Sequence, residues 1–347
     1  MATPSLVNVT RLAPQAISEW PDVGDPHPSH LAHARQWAAV IRRAYGHHPL
    51  YIAAEDVAGH RGFLPAFIVR RPLVGPVVTS MPFLDGGGPC STSPALDTLL
   101  VERLIVEARL RGAALVELRC ARRLAIEAQP LEGKVNMTLG LGNPEALWRR
   151  VDKAVRNQIR KAERAGLTVE RADAGGLTSF YETFVERMRD LGSPVHALGF
   201  LQQVLDTFGP RARLLLVKKD GTTIGGLVGI AFNDRLVVPW ATCRKEYFAL
   251  CPNMILYWEA IRGAAAEGFT RFDFGRSTRQ SGTYLFKRQW GAEEEPLFWY
   301  RLPIAARRIA SASSSRAGSD LLARMWQRLP LAVTRQVGPR VRKYLIQ

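Results

Sequence analysis

One order of elements occurs twice along the chain, and it limits the fold more than any other feature. Over residues 95–118 an apolar helical pattern (Leu99, Leu100, Leu104, Val106, Leu110) stops at Gly112 and gives way to an apolar strand at 114–118. Over residues 253–274 the same succession returns, with Gly268 as the stop. Glycine suits such a stop because it tolerates the left-handed backbone that closes a helix. The two glycines stand 156 residues apart, and the hairpins that open near Leu50 and Arg213 stand 163 apart. In the first half a helix at 30–46 precedes hairpin strands at 49–54 and 63–70. A Gly/Pro-rich loop at 81–94 follows, with Gly86, Gly87 and Gly88 in a row. In the second half helices at 177–191 and 197–208 precede strands at 213–218, 223–232 and 236–242. Two units of similar length predict a structural duplication. Mixed strands covered by helices make the class α/β or α+β.

A helix is expected between the halves. Asn143 is its N-cap, Pro144 its first residue, Glu145 sits at the positive end and Gly166 is the stop. Leu147, Trp148, Val151, Val155 and Ile159 form the apolar stripe. Arg149, Lys153, Arg156, Arg160 and Arg164 line the other side over roughly 22 Å at 1.5 Å per residue. That row reads either as a solvated face or as a rail for phosphates.

Charge points the same way. The net charge is +16, and from Arg301 to Gln347 ten basic residues meet a single acid, Asp320. Such an excess favours polyanionic partners. Leu321, Leu322, Met325, Trp326 and Leu329 form an apolar stripe in this tail, beside Arg324 and Arg328. It either lies on an anionic membrane or packs back on the second unit.

Several classes are excluded. No apolar run reaches the ~20 residues of a membrane-spanning helix, and the N-terminus shows no signal-peptide pattern. The localisation expected is cytoplasmic, with possible peripheral membrane contact. Cys90, Cys120, Cys243 and Cys251 lack Cys-x-x-Cys spacing and read as reduced thiols. His27, His30 and His33 recur at three-residue steps, but Pro26, Pro28 and Ser29 argue for an irregular segment, so no metal site is expected.

The densest chemistry lies in FDFGRSTRQSGTYLFKRQWG, residues 272–291. Asp273 sits in a strand between Phe272 and Phe274, and Arg276, Ser277, Thr278 and Arg279 follow it as a polar loop. A period-two reading of 283–290 makes this a strand, with Tyr284, Phe286, Arg288 and Trp290 on one face and Lys287 on the other. Lys287 is then half-buried among aromatics and needs a partner, a shifted pKa or a function. The structural alternative is a Lys287–Asp273 pair.

Residues 30–120 and 140–300 resemble FemAB-related proteins, in particular the branch associated with exosortase and exopolysaccharide systems. The stretches that carry the resemblance are GFLPAFIVRRPLVGPVVTSMPFLDGGG, VRNQIRKAERAGL, MRDLGSPV, VPWATCRKEYFALCPNMILYWEA and the 272–291 motif continued to Trp299. The resemblance implies two tandem GNAT-like units, each a mixed, mostly antiparallel sheet flanked by helices. The first unit would span 1–140, a basic connecting helix 141–168, the second unit 169–302 and a basic tail 303–347. It implies transfer of an aminoacyl group from aminoacyl-tRNA to an amine of an envelope or exopolysaccharide precursor, or to a small amine. Lys287 matches the family's late lysine and would stabilise the carbonyl oxyanion. Asp273 would orient Lys287 or take the amine proton. Arg276, Ser277, Tyr284 and Trp240 would contact substrate, and Arg156 and Arg160 would meet phosphates. The acceptor residues of the cell-wall enzymes find no clear counterpart in the first half, and no long heptad arm is present.

Ordinary GNAT enzymes hold the CoA pyrophosphate on a glycine-rich turn at a helix N-terminus. The corresponding stretch, CRKEYFALCP at 243–252, has no glycine. Acyl-CoA is therefore the second choice of donor and no cofactor is expected. A non-catalytic scaffold that binds RNA or lipid-linked sugars is the alternative from another class.

Overall fold

The computed structural model describes residues 7–19, 30–72, 75–131, 133–304 and 316–346. The chain divides into two compact units. One comprises Met1–Lys134, Pro296–Ser313 and Tyr344–Gln347, the other Val135–Glu295 and Ser314–Lys343.

The first unit opens with β1 (Val7–Arg11), α1 (Ala16–Glu19) and α2 (Gln36–Tyr45). There follow β2 (His48–Pro49), β3 (Ile52–Asp56), β4 (Arg61–Leu64), β5 (Phe67–Arg71), β6 (Gly75–Thr79), β7 (Cys90–Ser91), α3 (Pro94–Leu110) and β8 (Leu115–Cys120). The hairpin expected at 49–54 and 63–70 is one ribbon shared by two sheets. Its outer part, β3 with β4, belongs to a four-stranded sheet of order β1-β3-β4-β7, and its base, β2 with β5, to a five-stranded sheet. The change of sheet falls at Leu50–Tyr51 and Pro65–Ala66, where Leu50 N donates to Ala66 O at 2.7 Å. Pro65 has no N–H to give a ladder, and the pairing breaks there.

Residues 30–46 are not one helix. Leu31–His33 form a separate 3-10 turn before α2. The His30 ring accepts from Ala32 N at 3.2 Å and His33 Nδ1 accepts from His30 N at 2.9 Å, a reciprocal cap that closes the turn on itself. Helix α3 starts at Pro94 and buries Leu96, Leu100, Val101, Leu104 and Ala108. Val106 and Leu110, expected on that side, are exposed at 45% and 76%.

The second unit contains β9 (Lys134–Gly140), α4 (Pro144–Arg150), α5 (Lys153–Arg164), β10 (Leu167–Ala172), α6 (Leu177–Asp190) and α7 (Leu198–Phe208). It continues with β11 (Ala212–Lys219), β12 (Thr222–Phe232), β13 (Arg235–Cys243), α8 (Pro252–Ala266), β14 (Arg271–Thr278), α9 (Gly282–Arg288) and β15 (Glu293–Pro296). Its seven strands run in the order β10-β11-β12-β13-β14-β9-β15. Neighbours from β10 to β13 are antiparallel, and β13 with β14 is parallel. Helix α8 buries Met254, Ile255, Leu256, Tyr257, Trp258 and Ile261 in this unit's core. Strand β16 (Phe298–Pro303) then rejoins the first unit, completing the sheet β16-β8-β6-β5-β2. The chain ends in α10 (Arg316–Gln327) and α11 (Leu331–Arg342).

Two expectations in the second unit need correction. The helix foreseen from Asn143 to Gly166 is two helices. Val151 is extended, and Asp152 caps α5 by accepting from Ala154 N at 2.7 Å. A short carboxylate at that spot competes with helix continuation and starts a new N-terminus instead. The strand foreseen at 283–290 is helix α9, opened by Ser281, whose hydroxyl accepts from Tyr284 N at 3.3 Å. Across both units, strands β1, β6, β7, β9, β10, β15 and the later β16 are additional to those expected.

Within the first unit, Arg119 is buried on β8. Its Nη2 lies 2.9 Å from Glu117 Oε1 and its guanidinium 4.6 Å above the Trp299 ring. Arg301 Nε reaches the other Glu117 oxygen at 3.3 Å. No helix among the described residues is long and apolar enough to cross a membrane.

Candidate active site

The parallel ladder between β13 and β14 is short. It pairs Arg235 with Arg271, Leu236 with Phe272 and Val237 with Asp273, and no pair follows, although β13 runs on to Cys243 and β14 to Thr278. The strands part at a kink. Gly275 takes φ +74°, and a Cβ there would lie 3.4 Å from Val238 O. Only glycine enters that conformation freely. The turned backbone directs two successive carbonyls, those of Gly275 and Arg276, at one point.

Lys287 of α9 occupies that point. Its Nζ donates to Gly275 O and to Arg276 O, both at 2.8 Å, and the residue is 7% exposed. On the other side of the same residue, Gly275 N donates to Asp273 Oδ1 at 2.7 Å. Asp273 is fully buried; its Oδ2 accepts from Asn136 Nδ2 at 2.8 Å and lies 3.8 Å from Arg235 Nη1. Asn136 Nδ2 also reaches Glu295 Oε2, at 3.3 Å. Among the described residues Asp273 and Lys287 form no direct ion pair. They are linked through Gly275, the carboxylate holding its N–H and the ammonium its carbonyl.

Four further candidates lie on the same elements, β13, β14 and α9. Arg276 is half-buried just past the kink. Ser277 is buried, and its hydroxyl has no hydrogen-bond partner among the described residues; the same holds for Thr138 Oγ1 and Trp290 Nε1. Tyr284 lies one helical turn before Lys287 on α9. Its hydroxyl donates to Glu294, which also accepts from Arg279 Nε at 2.8 Å. That bond to Glu294 holds the Tyr284 hydroxyl above its ordinary pKa, and bonds from Tyr284 and Arg279 hold the Glu294 carboxyl below its own. Trp240 is on β13, three residues past the last ladder pair, packed against Phe200 and His196 with centroids 5.5 and 6.0 Å away.

Arg156 and Arg160 sit on α5 and turn toward α4. Arg156 Nη1 donates to the carbonyls of Trp148 and Arg149 at 3.2 and 3.1 Å, closing the C-terminus of α4. The Arg160 guanidinium lies 5.7 Å from the Trp148 ring centroid. The row of five cations is thus divided over two helices, and two of its members have work within the chain.

Between β13 and α8 the chain forms a 3-10 helix, Lys245–Leu250, followed by Cys251 at φ +60° and by Pro252 as the first residue of α8. Proline removes one of the N–H groups that a helix N-terminus offers an anion.

His27 lies outside the described residues. His33 Nε2 is 2.8 Å from Gly88 O, and burial above all lowers its pKa to about 4. Among the described residues no group of His, Cys, Asp or Glu is arranged to hold a metal ion. The four cysteines are free thiols.

Asn136 is a residue that the sequence reading passed over. The alternation Val135-Asn136-Met137-Thr138-Leu139 between Gly133 and Gly140 is the signal that marks β9 and puts Asn136 and Thr138 on one face.

Residues 149–288 match the acetyltransferase (GNAT) domain family. No curated protein matches the sequence. Among solved structures, the chain resembles FemX at 15% identity and TM-score 0.63, over 85% of this chain and 97% of that one. It resembles a tandem GNAT protein from the clavulanic acid biosynthesis pathway at 10% identity and TM-score 0.57, over 86% and 99%. The C-terminal domain of a putative lysylphosphatidylglycerol synthetase from Agrobacterium fabrum follows at 12% identity and TM-score 0.51, over 76% and 86%. The fold is therefore α/β with two tandem GNAT-like units.

Proposed function

We propose that the chain moves an aminoacyl group from aminoacyl-tRNA to an amine, with Lys287 as the electrostatic catalyst. The acceptor class is an amine of an envelope or exopolysaccharide precursor, or a small amine. The observation that carries the reading is the seating of Lys287: a buried ammonium fixed by two carbonyls where β13 and β14 part. Charge that is already in place stabilises a developing oxyanion without reorganisation.

The amine nitrogen attacks the ester carbonyl carbon, and the carbonyl electron pair moves onto oxygen beside Lys287. Collapse of the tetrahedral intermediate breaks the bond to the 3′ ribose oxygen of the tRNA. The proton lost by the amine ends on that oxygen. Asp273 is a positioning residue in this scheme, because its oxygens are engaged by Gly275 N–H and Asn136. The hydroxyl of Ser277 supports a polar ligand nearby, since a buried hydroxyl without a partner costs about 1–3 kcal/mol. The glycine-free β13–α8 turn and Pro252 favour aminoacyl-tRNA over acyl-CoA as donor. The solved structure named for lysylphosphatidylglycerol synthesis has the same fold, which is in keeping with aminoacyl chemistry on it.

The test is a donor screen. The protein is incubated with charged, radiolabelled total tRNA, or with acyl-CoAs, together with an envelope-precursor extract. Label is then scored in amides that survive mild base. RNase-sensitive amide formation that Lys287→Ala abolishes is the expected result. Transfer from a CoA thioester would move the donor to the second choice. Tight RNA binding without any transfer would favour a scaffold.

A further inference from the structure

Helix α10 carries apolar groups on two opposed sides. On one side Ala323 meets Gly192, just past α6, so closely that a Cβ on Gly192 would fall 2.7 Å from the Ala323 Cβ. Gln327 Nε2 secures that side by donating to Asp190 O at 3.0 Å. On the other side Leu321, Leu322 and Met325 are 54%, 65% and 58% exposed. Leu191, beside the Gly192 contact, and Val333 of α11 are exposed as well. At about 100° per residue the three α10 side chains share one arc roughly 100° wide, and Arg324 and Arg328 border it. Both arginines are exposed and make no ion pair among the described residues.

We propose that this surface seats the protein on an anionic lipid bilayer, with α10 lying in the headgroup plane. The apolar arc enters the acyl boundary while Arg324 and Arg328 meet lipid phosphates. Charge favours this occupant. A second copy would set these arginines against their own kind on a molecule of net charge +16. RNA would use the arginines but gains nothing from leucine and methionine, which offer neither charge nor a ring to stack on. The seating does not depend on the transfer chemistry, so Lys287→Ala should bind bilayers like the wild type.

The test is sedimentation of the full chain with two kinds of vesicle: phosphatidylcholine alone, and phosphatidylcholine with one third phosphatidylglycerol. Strong binding is expected only on the anionic vesicles. The Leu321→Ser, Leu322→Ser, Met325→Ser triple variant should lose at least tenfold in partitioning. Arg324→Ala with Arg328→Ala should lose about 25-fold, at about fivefold per arginine near the surface. All five side chains are exposed, so the variants should melt like the wild type. Three results would overturn the proposal. One is wild-type binding to neither vesicle. Another is anionic binding that the triple serine variant keeps. The third is a concentration-dependent doubling of mass that the same variant abolishes, which would assign the face to a second copy.

Discussion

Lys287→Met keeps the length of the side chain and removes its charge. In the folded chain the ammonium cannot swing away, because Gly275 O and Arg276 O hold it at 2.8 Å each. The charge is therefore a fixed feature of the site, and its loss should resemble the loss of one oxyanion donor. That loss is on the order of 10²–10³ in turnover, or about 2.7–4 kcal/mol. Stability should move much less. The two carbonyls lose a donor, at about 1–3 kcal/mol for an unpaired buried group, but a buried charge also disappears, which offsets part of that cost. The assay is single-turnover amide formation at saturating donor, read beside a thermal melt. Lys287→Arg keeps the charge, but its planar fork cannot place it at the same point, so turnover should stay low. A well-folded Lys287→Met protein that turns over within about threefold of wild type would refute the reasoning. The lysine would then be only an anchor for the kinked strand.

Four further outcomes are expected. Asp273→Asn should lower kcat while the pH profile of kcat keeps its shape; loss of the acidic limb would instead make Asp273 the base. Gly275→Ala should destabilise by about 1–2 kcal/mol, because an L-residue resists φ +74°, and should lower turnover as the two carbonyls turn away from Lys287. Glu117→Leu should cost about 3–5 kcal/mol in chemical denaturation, since it breaks a buried ion pair by removing the carboxylate that faces Arg119. His33 is neutral when folded and its pKa is held at about 4, against 6.5 for the free group. The unfolded chain then binds more protons below pH 6.5, so stability should fall from there down to about pH 4, by roughly 3 kcal/mol in total. His33→Gln should flatten that slope in melts taken across the range.

The duplication was legible because its markers are backbone markers. Gly112 and Gly268 both adopt positive φ at the ends of α3 and α8. Residues 283–290 misled because eight residues hold barely two helical turns. Over so short a span, alternating aromatics fit either period, and the decisive signal was the cap at Ser281. Asp152 falls inside the span expected as one helix, whereas its carboxylate ends one helix and begins another. Asn136 could not be foreseen as a partner of Asp273. The two are 137 residues apart, and only the strand order, with β9 placed next to β14, joins them. The kink at Gly275 is likewise a property of two diverging strands, of which the sequence shows one at a time.

The first unit takes its last sheet strand from far down the chain. β16 pairs along the whole of β8, from Phe298 opposite Cys120 to Pro303 opposite Leu115. During synthesis, β8 leaves the ribosome with a bare edge and must wait while the intervening residues, which form most of the other unit, are made. At roughly 5–20 residues per second, that interval lasts on the order of ten seconds or more. A chain truncated before Phe298 would keep the edge open, with unpaired N–H and C=O groups that invite pairing with another nascent chain. Premature termination should therefore yield insoluble material, even where the later-made unit reaches its native form.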